Sequence, residues 1–114
     1  MRIAGIGFRA GASAESIRNA LGGAEVDALA TLDRKVEALR KLELGLPVIG
    51  VSQDAISATR TPTYSAKVMA EVGTGSLAEA AALVAAGPRG RLIVIRRKSS
   101  DGMATAAIAE GQNL

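Results

Sequence analysis

RIAGIGFRAGASAESIRNA, residues 2–20, is the stretch that decides the fold of this chain. Its apolar start, Ile3 to Phe8, predicts a buried strand, and a glycine-rich turn follows. Ser13 is the expected N-cap of an amphipathic helix that Ala14 and Glu15 open. Backbone N–H groups in the first turn of a helix lack partners, and the helix dipole adds partial positive charge there. The stretch therefore predicts a strand, an anion-binding loop and a helix.

Four residues of this stretch are candidates for binding an anionic ligand: Gly7, Arg9, Gly11 and Ser13. The glycines let the backbone pass close to a ligand, and Arg9 supplies a guanidinium group. The run G-I-G-F-R-A-G places its third glycine one position too late for a dinucleotide-binding pattern, and no Gly-Lys-Ser/Thr follows it. The alternative interpretation is that the glycines serve only the close packing of strand against helix.

The composition limits the class of protein. A chain of 114 residues predicts one domain, residues 1–114. It has one Phe, one Tyr and no Trp, so the core must consist of Ala, Leu, Ile and Val. It has no Cys and no His, which removes the thiol nucleophile, the commonest general base and the commonest transition-metal ligand. We therefore expect no metal and no cofactor. With no signal peptide or membrane-spanning segment in the pattern, we expect a cytoplasmic protein.

The net charge of +3 is concentrated in the second half of the chain. A run of basic residues within ten positions includes Arg96, Arg97 and Lys98, and we take Arg97 and Lys98 as ligand-binding candidates. The run favours an anionic partner. The alternatives are a polycarboxylate, a phosphate ligand and a nucleic acid. The alternative is an edge strand that its charges protect from aggregation.

Apolar runs alternate with helical patterns along the chain. This order predicts an α/β fold: a single domain with a mostly parallel, mixed sheet of about five strands, helices on both faces and a C-terminal β-hairpin. In such sheets ligands bind at the carboxyl ends of the strands. Strands are expected at residues 3–8, 28–32, 47–51, 92–98 and 103–109, with helices in residues 14–21, 34–44 (capped by Asp33), 53–58, 65–72 and 77–86.

A second glycine and hydroxyl loop, residues 73–76, opens the helix LAEAAALVAA. Because this helix is apolar on nearly every face, it should be buried on more than one side. Thr74 and Ser76 are further ligand-binding candidates. Ser76 and Glu79 also have the spacing of a capping box, in which the serine caps the helix and the glutamate reaches back to it. Glu79 is thus a structural residue or a catalytic carboxylate.

Five segments in order resemble one family: GIGFRAGAS at 5–13, TLDRKVE at 31–37, GLPV at 45–48, VGTGSLAEAAALVAAG at 72–87 and ATAAIA at 104–109. Together they resemble the CobE/CbiG C-terminal domain family of cobalamin biosynthesis. The resemblance implies an α/β domain that binds or processes a precorrin or corrinic-acid intermediate, with other corrin-pathway enzymes as protein partners. A stand-alone domain is similar to the CobE branch. The longer CbiG form opens the ring-A lactone of a cobalt-precorrin and releases acetaldehyde.

The resemblance also implies roles for individual residues. Either Arg34 or Lys35 takes the place of the family's lysine after the second strand, and the basic cluster at 96–98 represents the lysine of the hairpin. If the domain opens a lactone, Glu79 or Glu37 is the candidate base, with Lys35 polarising the carbonyl.

Three functions remain open at this point. The first is binding or carriage of a polycarboxylate corrin precursor, which the missing His and Cys favour. The second is hydrolysis of a corrin-ring lactone. The third, a nucleic-acid module, ranks lowest because no aromatic RNA-binding motif, zinc-ligand pattern or helix-turn-helix accompanies the basic residues.

Overall fold

The computed structural model describes residues 1–111, with the side chains of residues 71 and 72 excepted. The strands are β1 (Arg2–Phe8), β2 (Ala28–Leu32), β3 (Val48–Val51), β4 (Arg91–Lys98) and β5 (Ala104–Glu110). The helices are α1 (Ala14–Leu21), α2 (Val36–Arg40, after a 3-10 turn at Asp33–Lys35), α3 (Gln53–Ser57), α4 (Ala66–Val72) and α5 (Leu77–Ala86).

The five strands form one sheet in the order β3-β2-β1-β5-β4. β1, β2 and β3 pair in parallel, whereas β5 runs antiparallel to both of its neighbours. Four strands therefore point the same way and only β5 is reversed. The mixed sheet and the C-terminal hairpin of β4 and β5 confirm the predicted fold class.

Each face of the sheet is covered by helices, and each carries its own core. On one face, α1 and α2 bury Ile17 and Leu39 against β1, β2 and β5. On the other, α3 and α5 bury Ile56, Ala80 and Ala81 against β1, β2 and β3. Small side chains allow close approach, since a Cβ added at Gly5 of β1 would collide with the α5 backbone. α5 is thereby fixed directly over the central strand.

The predicted helix at residues 34–44 is wrong in extent. Asp33 lies in the 3-10 turn rather than capping the helix, and α2 ends at Arg40. Beyond it the chain turns through 3-10-type hydrogen bonds, from Leu42 N–H to the Leu39 carbonyl and from the next residue to Arg40. Leu42, Leu44 and Leu46 then pack on the core at alternate positions. Positive φ angles at Glu43 (52°) and Gly45 (79°) rule out a continued helix, so packing overrides the helical spacing.

Candidate cleft at the carboxyl edge of the sheet

The connections of the chain create a crevice at the carboxyl ends of the parallel strands. α1 and α2 connect β1, β2 and β3 across one face, and the chain then crosses the other face through α3 to α5 before it enters β4. β4 and β5 lie on the opposite side of β1 from β2. The direction of winding therefore changes at β1, which is where open α/β sheets leave room for a ligand.

A cleft of about 580 Å³ occupies this position, a volume within the usual range of small-molecule sites. Six of its lining side chains are cationic, and among the described residues that line it none is acidic. The cations come from the ends of β1 and β4, the turn after β2, and α4: Arg9, Arg34, Lys35, Lys67, Arg96 and Lys98. Strands and helices distant in sequence thus assemble one concentrated positive surface.

The cleft also has an apolar side. It contains the one Phe and the one Tyr of the chain, Phe8 and Tyr64, with Leu32, Leu77 and Met103 among its other lining residues. The Nζ of Lys35 lies 4.3 Å from the centre of the Phe8 ring, a cation–π contact that holds the ammonium group at the cleft. Tyr64 is 64% exposed. The site accordingly combines apolar and aromatic surface with positive charge.

The loop after β1 divides between the cleft and the neighbouring helix. Gly7 and Arg9 line the cleft, and the Arg9 N–H donates to the Met103 carbonyl at 2.9 Å. Gly11 has a φ of 88° and is not among the lining residues. Ser13 caps α1 as predicted, because its Oγ accepts from the Ser16 N–H at 3.1 Å. The structure therefore gives Ser13 a structural task away from the cleft.

The residues predicted from the second glycine loop lie behind the cleft. Thr74 and Ser76 are buried; the Thr74 hydroxyl donates to the Thr59 carbonyl at 3.2 Å, and the Ser76 Oγ accepts from the Glu79 N–H at 3.3 Å. Ser76 is thus the N-cap of α5, as predicted. The Glu79 carboxylate, expected to reach back to Ser76, instead accepts hydrogen bonds from the N–H and hydroxyl of Thr63 and from the backbone N–H of Arg96. The spacing therefore predicted the serine cap correctly, but not the partners of the glutamate side chain.

The two basic residues predicted as ligand-binding on β4, Arg97 and Lys98, lie on different sides of the strand. Lys98 lines the cleft with Arg96, since residues two apart on a strand share a face. Arg97 turns to the other side, where its guanidinium donates to the Leu21 carbonyl at the C-terminus of α1. A cation in that position complements the helix dipole. Arg97 thereby joins α1 to β4, and the structure does not bring it to the cleft.

Arg34 and Lys35, the two alternatives for the family lysine, both line the cleft. Sequence reasoning missed other residues that line it. The alternation of β4 could have selected Arg96 over Arg97. Tyr64, Ser65 and Lys67 had no local signal, because their position depends on the hydrogen bonds of Thr63 and Ser65 to Glu79 and Gly75.

The turn between β4 and β5 forms one side of the cleft through Gly102 and Met103. The Asp101 carboxylate holds this turn: it accepts from Ser16 and Ser99 hydroxyls, each at 2.5 Å, and from the Met103 N–H at 3.0 Å. These hydrogen bonds, that of Ser16 first, lower the pKa of Asp101 to about 2. The hairpin turn is therefore tied to α1 by an ionised side chain.

Comparison with known proteins identifies the family. The family model described as "Cobalamin synthesis G C-terminus" matches residues 2–109. The chain belongs to this family. None of the functionally curated proteins matches it significantly in sequence.

Solved structures give the same result. CobE, a protein from the cobalamin (vitamin B12) biosynthetic pathway, superposes with a TM-score of 0.81 at 37% identity, over 96% of this chain and 92% of CobE. The cobalamin biosynthesis protein chiG from Agrobacterium tumefaciens str. C58 matches with a TM-score of 0.71 at 32% identity, over 99% of this chain and 100% of that one.

A third structure shows the same fold within a longer protein. A putative cobalamin biosynthesis protein G homolog from Sulfolobus solfataricus gives a TM-score of 0.69 at 20% identity, over 97% of this chain but 37% of that protein. The family match and the two closer structures make this chain a cobalamin biosynthesis protein resembling CobE and CbiG. No helix in residues 1–111 is long and apolar enough to cross a membrane.

Proposed function

We propose that this protein binds a polycarboxylate corrin precursor, a precorrin or corrinic acid, in the cleft at the carboxyl edge of its sheet. The observation that carries the proposal is the charge of the cleft: six cationic side chains and, among its described lining residues, no acidic one. Within residues 1–111 none of these six cations forms an ion pair. They are available to a ligand with several carboxylates, which Arg and Lys bind through charge-assisted hydrogen bonds.

The apolar surface of the cleft suits the other half of such a ligand. A corrin precursor has an apolar macrocycle with carboxylates at its rim, so it needs flat hydrophobic contact inside a ring of positive charge. Phe8, Leu77 and Met103 supply the first, and Lys35 and Lys98 are placed to supply the second. Free phosphate or a linear polycarboxylate would use the charges and leave the apolar surface in water.

Binding or carriage is the function we favour over lactone hydrolysis. Hydrolysis needs a base within hydrogen-bonding reach of the attacking water. Glu37 is exposed on α2, where it pairs with Arg40 at 2.8 Å, and the Glu79 carboxylate is buried with both oxygens hydrogen-bonded. Neither lines the cleft. A domain of this kind would hold its ligand for another enzyme of the corrin pathway.

The proposal is tested by titrating the protein with hydrogenobyrinic acid and following the corrin absorbance. We expect saturable binding that weakens as salt is raised, since salt screens exposed charges. Lys98→Ala should lower the affinity about tenfold, on the scale of one charge-assisted hydrogen bond. Lys41→Ala, which removes an exposed lysine after α2 outside the cleft, is the matched control and should bind like the wild type.

Two results would contradict the proposal. One is the absence of saturable binding by the wild type. The other is an equal loss of affinity in both lysine variants, which would mean that only the net charge matters. Acetaldehyde release from a cobalt-precorrin lactone, assayed in parallel, would support the hydrolase alternative instead.

A further inference from the structure

Glu79 is a buried carboxylate that the proposed binding does not use. Its side chain is fully enclosed, in the first turn of α5. Oε1 accepts from the Thr63 N–H at 3.0 Å and the Thr63 hydroxyl at 2.8 Å, and Oε2 accepts from the Arg96 N–H at 2.9 Å. All three donors are neutral groups. Burying a carboxylate is costly even when it is hydrogen-bonded, whereas Ser76 alone already caps the helix.

The partners of Glu79 belong to two different elements at the cleft. Thr63 directly precedes Tyr64 and Ser65, which line the cleft, and Arg96 of β4 lines it as well. The carboxylate therefore lies behind the cleft and joins the segment before α4 to the edge strand. It bridges elements that are 16 and 17 residues away from it in sequence.

Few other polar contacts hold the segment around Thr63. The Ser65 N–H donates to the Gly75 carbonyl at 2.7 Å, and the Thr61 hydroxyl donates to the Thr63 carbonyl at 3.0 Å. The second of these is internal to the segment. The Tyr64 side chain is largely exposed, so packing in the core does not fix its position. Glu79 thus supplies two of the hydrogen bonds that fix the backbone on which Tyr64 stands.

We propose that Glu79 is a positioning residue: its buried carboxylate fixes Thr63, and with it the aromatic ring of Tyr64, relative to β4 and Arg96. The role rests on the proposed function, because it makes Tyr64 a surface for the flat macrocycle. On this proposal, Tyr64, held in place through Glu79, makes the cleft prefer a macrocycle to a linear polycarboxylate. The cations of the cleft attract the carboxylates of either ligand.

The experiment compares Glu79→Gln with Thr31→Val. Gln keeps the shape of Glu but replaces one acceptor oxygen by an amide donor, which then faces Thr63 or Arg96 donors. Thr31 is also fully buried, and its hydroxyl donates to the Ile6 carbonyl at 2.9 Å, outside the cleft. Thr31→Val therefore removes a buried hydrogen bond without touching the Tyr64 segment. Each variant is assayed for melting temperature, for hydrogenobyrinic acid affinity and for Tyr64 emission anisotropy.

Tyr64 is the one tyrosine of a chain without tryptophan, so its emission reports on this segment alone. We expect Glu79→Gln to lower the anisotropy of Tyr64 and to weaken hydrogenobyrinic acid binding about tenfold, while Thr31→Val lowers only the melting temperature. If Glu79→Gln matches Thr31→Val in anisotropy and affinity, Glu79 is merely structural and the proposal is overturned.

Thr63→Val provides a milder variant if Glu79→Gln does not fold, since it removes only the hydroxyl donor. It should lower the anisotropy and the affinity by a smaller factor, and unchanged values would overturn the proposal. The anisotropy needs no ligand. A wild type that fails to bind hydrogenobyrinic acid therefore refutes the proposed function, whereas an anisotropy that Glu79→Gln leaves unchanged refutes the positioning role.

Discussion

The two ends of the sheet carry cavities of similar size and opposite character. At the amino ends of β1 and β2, an open cavity of about 790 Å³ is lined by Arg2 together with Glu25, Asp27 and Glu110. Acidic side chains predominate there: Arg2 pairs with Glu110 at 3.3 Å, and the uncharged backbone N–H of Arg2 donates to Asp27 at 2.8 Å. Among the described residues, those that line the smaller cleft at the carboxyl edge include six cations and no acidic side chain. The sign of the charge, rather than volume, distinguishes the candidate site for an anionic ligand.

The two cavities also differ in what builds them. Leu77, at the start of α5, lines the cleft at the carboxyl edge, whereas no described residue of α5 lines the cavity at the amino edge. A disturbance of α5 should therefore alter the first and spare the second.

Ala82→Leu is the substitution with the largest expected effect. Ala82 is completely buried in α5, so a larger side chain must displace its neighbours. We expect a loss of about 2 kcal/mol in the free energy of unfolding, measured by urea denaturation. Ala70→Leu, the same change at an exposed position of α4, should stay within about 0.5 kcal/mol of the wild type. Equal stability of the two variants would show that α5 is not enclosed.

Arg9→Ala and Arg2→Ala compare the two edges directly. Arg9 lines the cleft and Arg2 the opposite cavity, so the two changes remove the same charge from different ends. We expect Arg9→Ala to weaken hydrogenobyrinic acid binding by about 1–3 kcal/mol, the range for hydrogen bonds to charged groups, with little change in melting temperature. Arg2→Ala should leave the affinity unchanged in the same titration with hydrogenobyrinic acid. The reverse order would place the ligand at the amino edge.

Asp101 gives the smallest expected effect, confined to acid. Its pKa is lowered to about 2 in the fold, from an ordinary value of 3.8. The stabilisation from the ionised group is therefore complete above pH 3.8 and is lost as the pH falls through 2. An NMR titration of the Asp101 carboxyl carbon should have its midpoint near 2. A midpoint near the ordinary value would mean that the hairpin turn is not tied to Ser16 in solution.

The sequence predicts most of the sheet because strand signals are local. β2 has the bounds that its apolar run predicts, and Ser13 and Ser76 are caps because their side chains act on neighbouring N–H groups. The helix at 34–44 fails where the core requires Leu44 and Leu46 at alternate positions. Local propensity is overridden by packing there.

The sequence predicted residues of the candidate site mainly where they lie at or next to the end of a strand. Gly7, Arg9 and Lys98 lie at or next to the ends of β1 and β4, and the structure places all three at the cleft. Tyr64 and Lys67 lie on a segment whose position depends on hydrogen bonds between Glu79 and Thr63, 16 residues apart. No spacing rule connects such positions, since the contact exists only after α5 has packed on the sheet.

The central claim is that a corrin polycarboxylate binds at the carboxyl edge, and chemical-shift mapping tests it most directly. Hydrogenobyrinic acid is added to the ¹⁵N-labelled protein, and the backbone amide shifts of the two cavities are compared. We predict that the amides of Gly7, Gly102 and Thr105 shift progressively to saturation while those of Leu21 and Gly45 stay in place. Saturable shifts at Leu21 and Gly45, with Gly7, Gly102 and Thr105 unmoved, would contradict the account.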